Sequence, residues 1–284
     1  MLHKKTIKKI VPKQRVKVSL FIVGAQKAGT SALHNYLIKH PKVQGGIKKE
    51  INFFNHKEKY EQGEEWYHKQ FKSPLFYQPK SIYLDSTPAY LNNLTIAEQI
   101  YNYNPNATIV ILLRDPVSRA FSAWNMYKQF SELNERQKSN LINTHIEKNN
   151  EERFKNLINQ NPFPDFSRFI SNELINNKLV DVYPNILKRS LYYDQVKTYY
   201  NLFNTKQIFV FESNYFKSNK LEVTNQIFNA LGLQTFEESK YKLEQIHARE
   251  YNSKIDKETK KKLKEFYKPH NENLFQLINQ RFDW

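Results

Sequence analysis

Apolar positions along the chain follow two rhythms. Near-continuous apolar runs at 16–23 (Val16, Val18, Leu20, Ile22, Val23), 81–85, 108–113 and 207–211 read as buried strands. Between them, apolar residues recur at helical spacing. Leu33, Leu37 and Ile38 predict a helix that stops at His40-Pro41, and a short helix is expected over 64–71. Leu94, Ala97, Ile100 and Tyr101 mark another at 94–103. Asp115 suits an N-cap and Pro116 the first helical position, so a helix is expected from there to Phe130. Further helices are predicted at 165–177, 187–203, 220–231 (closed by Gly232), 257–267 and 271–280.

Strands alternating with helices predict an α/β fold with a parallel sheet, whose ligands lie beyond the carboxyl ends of the strands. That expectation puts three segments on one rim: the turn at 24–31, the loop at 85–90 and the turn at 114–122. Residues 16–284 read as a single domain, preceded by a flexible basic arm at 1–15. Residues 41–60 read as a loop with an apolar patch at Ile51, Phe53 and Phe54. Residues 131–164 are polar with weak periodicity and read as an insertion or lid, and 241–253 as a basic loop. No internal repeat is visible.

Composition adds three constraints. With 39% hydrophobic and 14% aromatic residues the chain can bury a substantial core, and only 6 glycines argue against a loop-rich protein. There are no cysteines, which excludes disulfides and thiolate metal sites and suits a reducing compartment. The formal net charge of +16 favours an anionic partner, although much of the excess is lysine dispersed among asparagines. The basic N-terminal segment has no apolar h-region and no run of 18 apolar residues occurs, so the expected location is the cytoplasm.

The candidate chemistry begins at the first turn. Gly24, Lys27, Ala28, Gly29, Thr30 and Ser31 lie between a strand and a helix. Glycines let the backbone close on a ligand, amides of the first helical turn point at it, and Lys27 adds charge, so the turn suits a phosphate or sulfate. It is not a Walker A motif, because the lysine precedes the second glycine. The plainer alternative is an ordinary βα turn. At the second turn, Arg114 and Ser122 offer a guanidinium and a hydroxyl to another phosphate. Alternatively, Arg114 pairs with Asp115 or a carbonyl and Ser122 is incidental.

Together, K-x-G-T-S at 27–31 and R-D-P-x-x-R-x-x-S at 114–122 resemble the sulfotransferases that use 3'-phosphoadenylyl sulfate (PAPS). The likeness narrows to the heparan sulfate N- and 3-O-sulfotransferases. It is carried by Lys49-Glu-Ile-Asn-Phe-Phe-Asn55, Gly63-Glu-Glu-Trp-Tyr67, Ser86-Thr-Pro-Ala-Tyr90, Arg189-Ser-Leu-Tyr192 and Arg281-Phe-Asp-Trp284. It implies a P-loop-like three-layer fold, a central parallel sheet flanked by helices. It implies PAPS as sulfuryl donor and PAP (3'-phosphoadenosine 5'-phosphate) as product. The first turn would be the 5'-phosphosulfate loop, Arg114 and Ser122 would hold the 3'-phosphate, and Glu50 would be the catalytic base. Two positions depart from the family: Ser86 stands where it has a lysine, and His247-Ala248-Arg249 is the best match to its K-G-R loop.

The resulting expectation is sulfuryl transfer to a hydroxyl or amine, with a glycan or polysaccharide as acceptor. Lys27 would stabilise the leaving phosphate, Glu50 would take the acceptor proton, and the reaction would need no metal. His56 is the competing base, and Glu50 read without the resemblance is an exposed acid in a lysine-rich loop. A P-loop kinase and a basic nucleic-acid-binding protein are the alternatives. The first would require a lysine directly before Ser/Thr, and the second clustered cations interleaved with exposed aromatics.

Overall fold

A computed structural model describes residues 16–71, 81–175, 184–237 and 254–284. Its centre is β1 (Val18–Gly24), whose seven positions are almost all buried. A short strand, β2 (Val43–Gly45), follows, then β3 (Ile82–Ser86), β4 (Thr108–Leu113) and β5 (Ile208–Glu212). The sheet order is β2-β3-β1-β4-β5 and every pair is parallel. Strands buried at successive positions have both faces covered, which explains why their sequences are apolar runs rather than alternations.

The chain after β1 crosses to β2 on one side, and the chain after β4 crosses to β5 on the other. The carboxyl ends of β1 and β4 therefore flank a topological switch point, where an open α/β sheet leaves a crevice. The first and second turns leave from these two strands.

The helices are α1 (Thr30–Leu37), α2 (Lys57–Tyr60), α3 (Gly63–His68), α4 (Leu94–Tyr103), α5 (Pro116–Ser131) and α6 (Glu135–His145). They continue with α7 (Glu151–Ile158), α8 (Phe166–Ile175), α9 (Tyr192–Leu202), α10 (Ser213–Ser218), α11 (Lys220–Ala230) and α12 (Lys257–Ile278). The predicted start of α5 is present: the Asp115 carboxylate accepts from Ser118 N at 2.7 Å, and Pro116 occupies the first turn.

Among the described residues, two hydrophobic clusters form. The larger surrounds the sheet. The smaller joins α5, α7, α8 and α12 through Trp124, Tyr127, Phe154, Ile158, Phe166 and Tyr267.

Several elements differ from the sequence reading. The polar segment 131–164 contains α6, opened by an Asn134–Gln137 capping box, and α7, which buries Phe154, Leu157 and Ile158. The helix expected from 187 begins at Tyr192, after a single 3-10 turn. The two closing helices are one, α12, with Pro269 inside it. Proline removes one backbone bond from a helix. Here Leu263 and Tyr267 anchor the first half in the smaller cluster, and Leu274 and Phe275 anchor the second in the larger. The basic arm at 1–15 and the basic loop, with His247 and Arg249, lie outside the described residues.

Candidate active site

The 24–31 turn is held from both sides. Ala25 N donates to Leu112 O at 2.6 Å, tying the turn to β4. A Cβ on Gly24 would stand 2.5 Å from the Leu91 Cβ, so this position takes no side chain. Lys27 (φ 70°) and Gly29 (φ 103°) are both left-handed, which rolls the chain over before Gly29 caps α1. Such a turn aims consecutive amides into one concavity. Ala28 and Thr30 are buried, Lys27 is half-buried, and Gly29 and Ser31 are exposed.

The second turn meets the first directly. Arg114 Nη1 donates to the Lys27 carbonyl at 3.0 Å, so the arginine at the end of β4 braces the lysine's backbone. Arg114 is itself buttressed by Tyr192, whose hydroxyl donates to Arg114 O at 3.0 Å. Ser122 lies further along α5, 1% exposed. The Arg189-Ser-Leu-Tyr192 motif thus works as a strap. Arg189 Nη1 lies 3.5 Å from Gln26 Oε1, and Ser190 Oγ accepts from the fully buried Arg119 Nε. Tyr192 packs at a tilt against Trp284, ring centroids 5.9 Å apart, and Trp284 with Phe275 and Phe282 closes the chain behind it.

Lys217 of α10 was not found by sequence reasoning. Burial, and then the Arg114 charge, push its ammonium pKa down, which places two cations at one end of the crevice. Phe216 beside it packs against Tyr36 of α1, so α10 covers the same turn. The available signal was topological, since the segment after β5 leaves from the same rim as the other two turns.

The loop carrying Glu50 is fastened beneath the crevice. Glu50 (φ 63°) and Asn52 (φ 58°) are left-handed, and the Glu50 carboxylate accepts from Lys49 Nζ at 3.0 Å with its side chain 40% exposed. Asn52 N donates to Thr87 Oγ1 at 3.4 Å, Phe53 N to the Tyr90 hydroxyl at 3.0 Å, and Lys59 Nζ to Ile51 O at 2.8 Å. Beneath them Asp85, 0% exposed, accepts from Tyr67 at 2.7 Å, Thr87 at 2.7 Å and Tyr90 at 2.9 Å. Burial pushes the Asp85 carboxyl pKa up, while those three hydroxyls and the Lys49 charge hold it back. Asp85 thereby links β3 to the loop that carries Glu50.

Ser86 is also buried, and its hydroxyl lies 2.8 Å from His34 Nδ1. Burial, then the nearby Lys49 charge, lower the His34 pKa to about 4, which keeps the imidazole neutral. The Lys49 charge, beside Glu50, acts on both His34 and Asp85. His56 is buried at the start of α2.

The structure therefore brings together Lys27, Gly29, Arg114 and Lys217 at the switch point, with Glu50 on the loop braced against β3. Residues 17–277 match the family described as Sulfotransferase domain. The chain is 24% identical to the membrane-associated sulfotransferase kil1 of Dictyostelium discoideum, over 94% of this chain and 66% of that protein. It is 26% identical to heparan sulfate glucosamine 3-O-sulfotransferase 5 of Mus musculus, over 93% of this chain and 72% of that protein. In fold it is similar to a sulfotransferase from Alicyclobacillus acidocaldarius, with TM-score 0.66 and 22% identity over 94% of this chain and 98% of that one. Neither the kinase nor the nucleic-acid reading finds support in these likenesses. A match over residues 17–277, nearly the whole described domain, means that the chain belongs to the sulfotransferase family.

Proposed function

We propose that the protein transfers a sulfuryl group from PAPS to a hydroxyl or amine of a glycan. The observation that carries this reading is the Arg114–Lys27 brace, which fixes two cationic turns side by side at the switch point. One turn suits the 5'-phosphosulfate and the other, with Arg114, Ser122 and Lys217, a separate 3'-phosphate. A nucleotide with phosphate at both ends engages both turns, whereas adenosine monophosphate and ATP engage one.

In the transfer, the sulfur–oxygen bond to the nucleotide's 5'-phosphate breaks as a sulfur–oxygen or sulfur–nitrogen bond to the acceptor forms. The acceptor proton goes to the Glu50 carboxylate. Lys27 and the α1 amides neutralise the charge that grows on the departing phosphate, and the rigid turn supplies them without reorganisation. Lys49 holds the Glu50 carboxylate until the acceptor arrives. A glycan acceptor is supported by the likeness to a heparan sulfate sulfotransferase and by the net charge of +16.

The test is thermal unfolding with saturating PAP, adenosine monophosphate, or ATP with magnesium, followed by the Glu50→Gln variant. A ligand at 100 times its Kd adds about 2.7 kcal/mol of stability, a shift of several degrees. PAP should stabilise far more than the other two. Glu50→Gln should keep that response while losing transfer by a hundredfold or more, on the scale of lost general-base catalysis. Equal stabilisation by ATP defeats the donor assignment, and full transfer by Glu50→Gln defeats the base assignment.

A further inference from the structure

The strap that precedes α9 is gripped by four helices. The Glu173 carboxylate of α8 accepts from Ile186 N at 3.0 Å and Leu187 N at 2.8 Å, and Arg119 of α5 donates to Ile186 O. Tyr267 of α12 donates to Leu187 O at 3.2 Å, and Gln195 of α9 donates to Lys188 O at 3.2 Å and Leu191 O at 3.0 Å. Tyr192 closes the strap on Arg114 O. Its backbone is thus set in advance, and a side chain carried on it is aimed without reorganisation.

Arg189 is half-buried on this strap, and its donors are not used up. Its Nε is buried with no hydrogen-bond partner among the described residues, a condition that in native proteins calls for a ligand or a water. Its Nη1 meets Gln26 Oε1 at 3.5 Å, the outer limit of a hydrogen bond, whereas Arg114 Nη1 meets the Lys27 carbonyl at 3.0 Å. Arg114 therefore braces the first turn, and Arg189 rests against it. Glu147 and Glu173 feel the Arg189 charge, but both already accept from other donors, Glu173 from two amides and Glu147 from Asn150 at 3.2 Å.

Position narrows what the spare donors meet. Gln26 immediately precedes Lys27, so the guanidinium stands beside the turn that suits the phosphosulfate. On its other side Arg189 shares a cleft wall with Asn55, which donates to Asn52 Oδ1 at 3.2 Å on the loop that carries Glu50. We infer that Arg189 is a further catalytic residue, whose guanidinium donates to the non-bridging oxygens of the donor's sulfuryl group and holds that group toward Glu50. The assignment rests on the donor reading proposed above, in which Arg114, Ser122 and Lys217 take the 3'-phosphate and Lys27 with the α1 amides takes the 5'-phosphate. Arg189 answers the third anionic group. As the sulfur–oxygen bond to the 5'-phosphate breaks and the bond to the acceptor forms, Arg189 keeps the same oxygens and exchanges no proton. Its contribution is alignment of the group in transit, for which a two-pronged guanidinium is suited.

The test is calorimetry of the full chain with PAPS and with PAP, acceptor left out, because the two ligands differ by the sulfuryl group alone. Arg189→Met keeps the aliphatic stem and removes the guanidinium. It should weaken PAPS about tenfold or more, on the scale of a lost charge-assisted bond, and leave PAP within about twofold of the parent. Arg189→Lys should recover part of the loss for PAPS. Equal weakening of PAPS and PAP reduces Arg189 to a brace of the turn, and unchanged PAPS affinity removes it from the site; either result overturns the assignment. A parent that binds neither ligand overturns the donor reading and this assignment with it, whereas a parent that binds both beside an indifferent Arg189→Met overturns this assignment alone.

Discussion

Tyr90→Phe removes one oxygen from the interior and tests how the Glu50 loop is held. The Tyr90 hydroxyl, on a residue 0% exposed, donates to Asp85 at 2.9 Å and accepts from Phe53 N at 3.0 Å. The phenyl ring that remains keeps its edge contact with Phe54, so almost no volume is lost. What disappears is a hydrogen bond to a buried acid, worth about 1.5–3 kcal/mol, and the partner of a buried amide, worth about 1–3 kcal/mol. Because the two share one atom, about 3 kcal/mol is the expected sum. That corresponds to a fall in Tm of roughly 6–12 °C for a domain of this size. Phe53 is close along the chain to Glu50, and the intervening backbone is left-handed at Glu50 and Asn52. Once the amide is released, the loop relaxes and kcat falls by about tenfold or more, since misplacing a catalytic group is costly. PAP affinity stays, because the first turn is untouched. Tyr67→Phe is the control: it removes a donor from the same carboxylate but leaves Phe53 N paired, so it should lose stability and keep more of kcat. A Tyr90→Phe protein with unchanged Tm refutes the energetic argument. One that loses stability yet turns over like the parent refutes the positional one.

Three further outcomes follow from groups already described. The folded-state pKa of His34, about 4, lies below its unfolded value near 6.5. The unfolded chain therefore binds the extra proton first, and stability present above pH 6.5 is lost as pH falls toward 4. The loss reaches about 3 kcal/mol, and a urea titration of His34→Gln against the parent should show it as a difference in slope across that window. Arg119, fully buried and donating to Ser190 Oγ and Ile186 O, holds the strap behind Arg114, so Arg119→Ala should cost about 3–5 kcal/mol by chemical denaturation. Lys217→Ala should weaken PAP about tenfold in calorimetry and leave adenosine monophosphate little changed, because the ammonium shares its neighbourhood with Arg114.

Much of this architecture is legible from residues alone. The strands at 18–24, 82–86, 108–113 and 208–212 are apolar runs because the sheet is covered on both faces, and that burial is what a sequence displays best. The Asp115-Pro116 start of α5 is a local code and appears where expected. Val43–Gly45 is too short to carry a period, so the edge strand β2 was invisible. Pro269 reads as a break, but packing into two clusters outweighs one lost backbone bond. In the site, Lys27 and Arg114 announce themselves at strand ends. Lys217 meets Arg114 from a distant part of the chain, and Tyr67 reaches the Asp85 hub from 18 residues away, so no spacing rule encodes these contacts.

The division of the interior into two clusters has a consequence for how this protein can change over time. The sheet cluster supports the first turn through Ala25, Ala28 and Leu33, while the smaller cluster holds α6 and α7 through Ile142, Phe154, Leu157 and Ile158. Change on the outer face of α6 and α7 is met first by that smaller core, which they share with α5, α8 and α12. Hydrogen exchange should find the two regions opening as separate cooperative units. A chain partitioned in this way can vary α6 and α7 without disturbing the sheet and the first turn that leaves it.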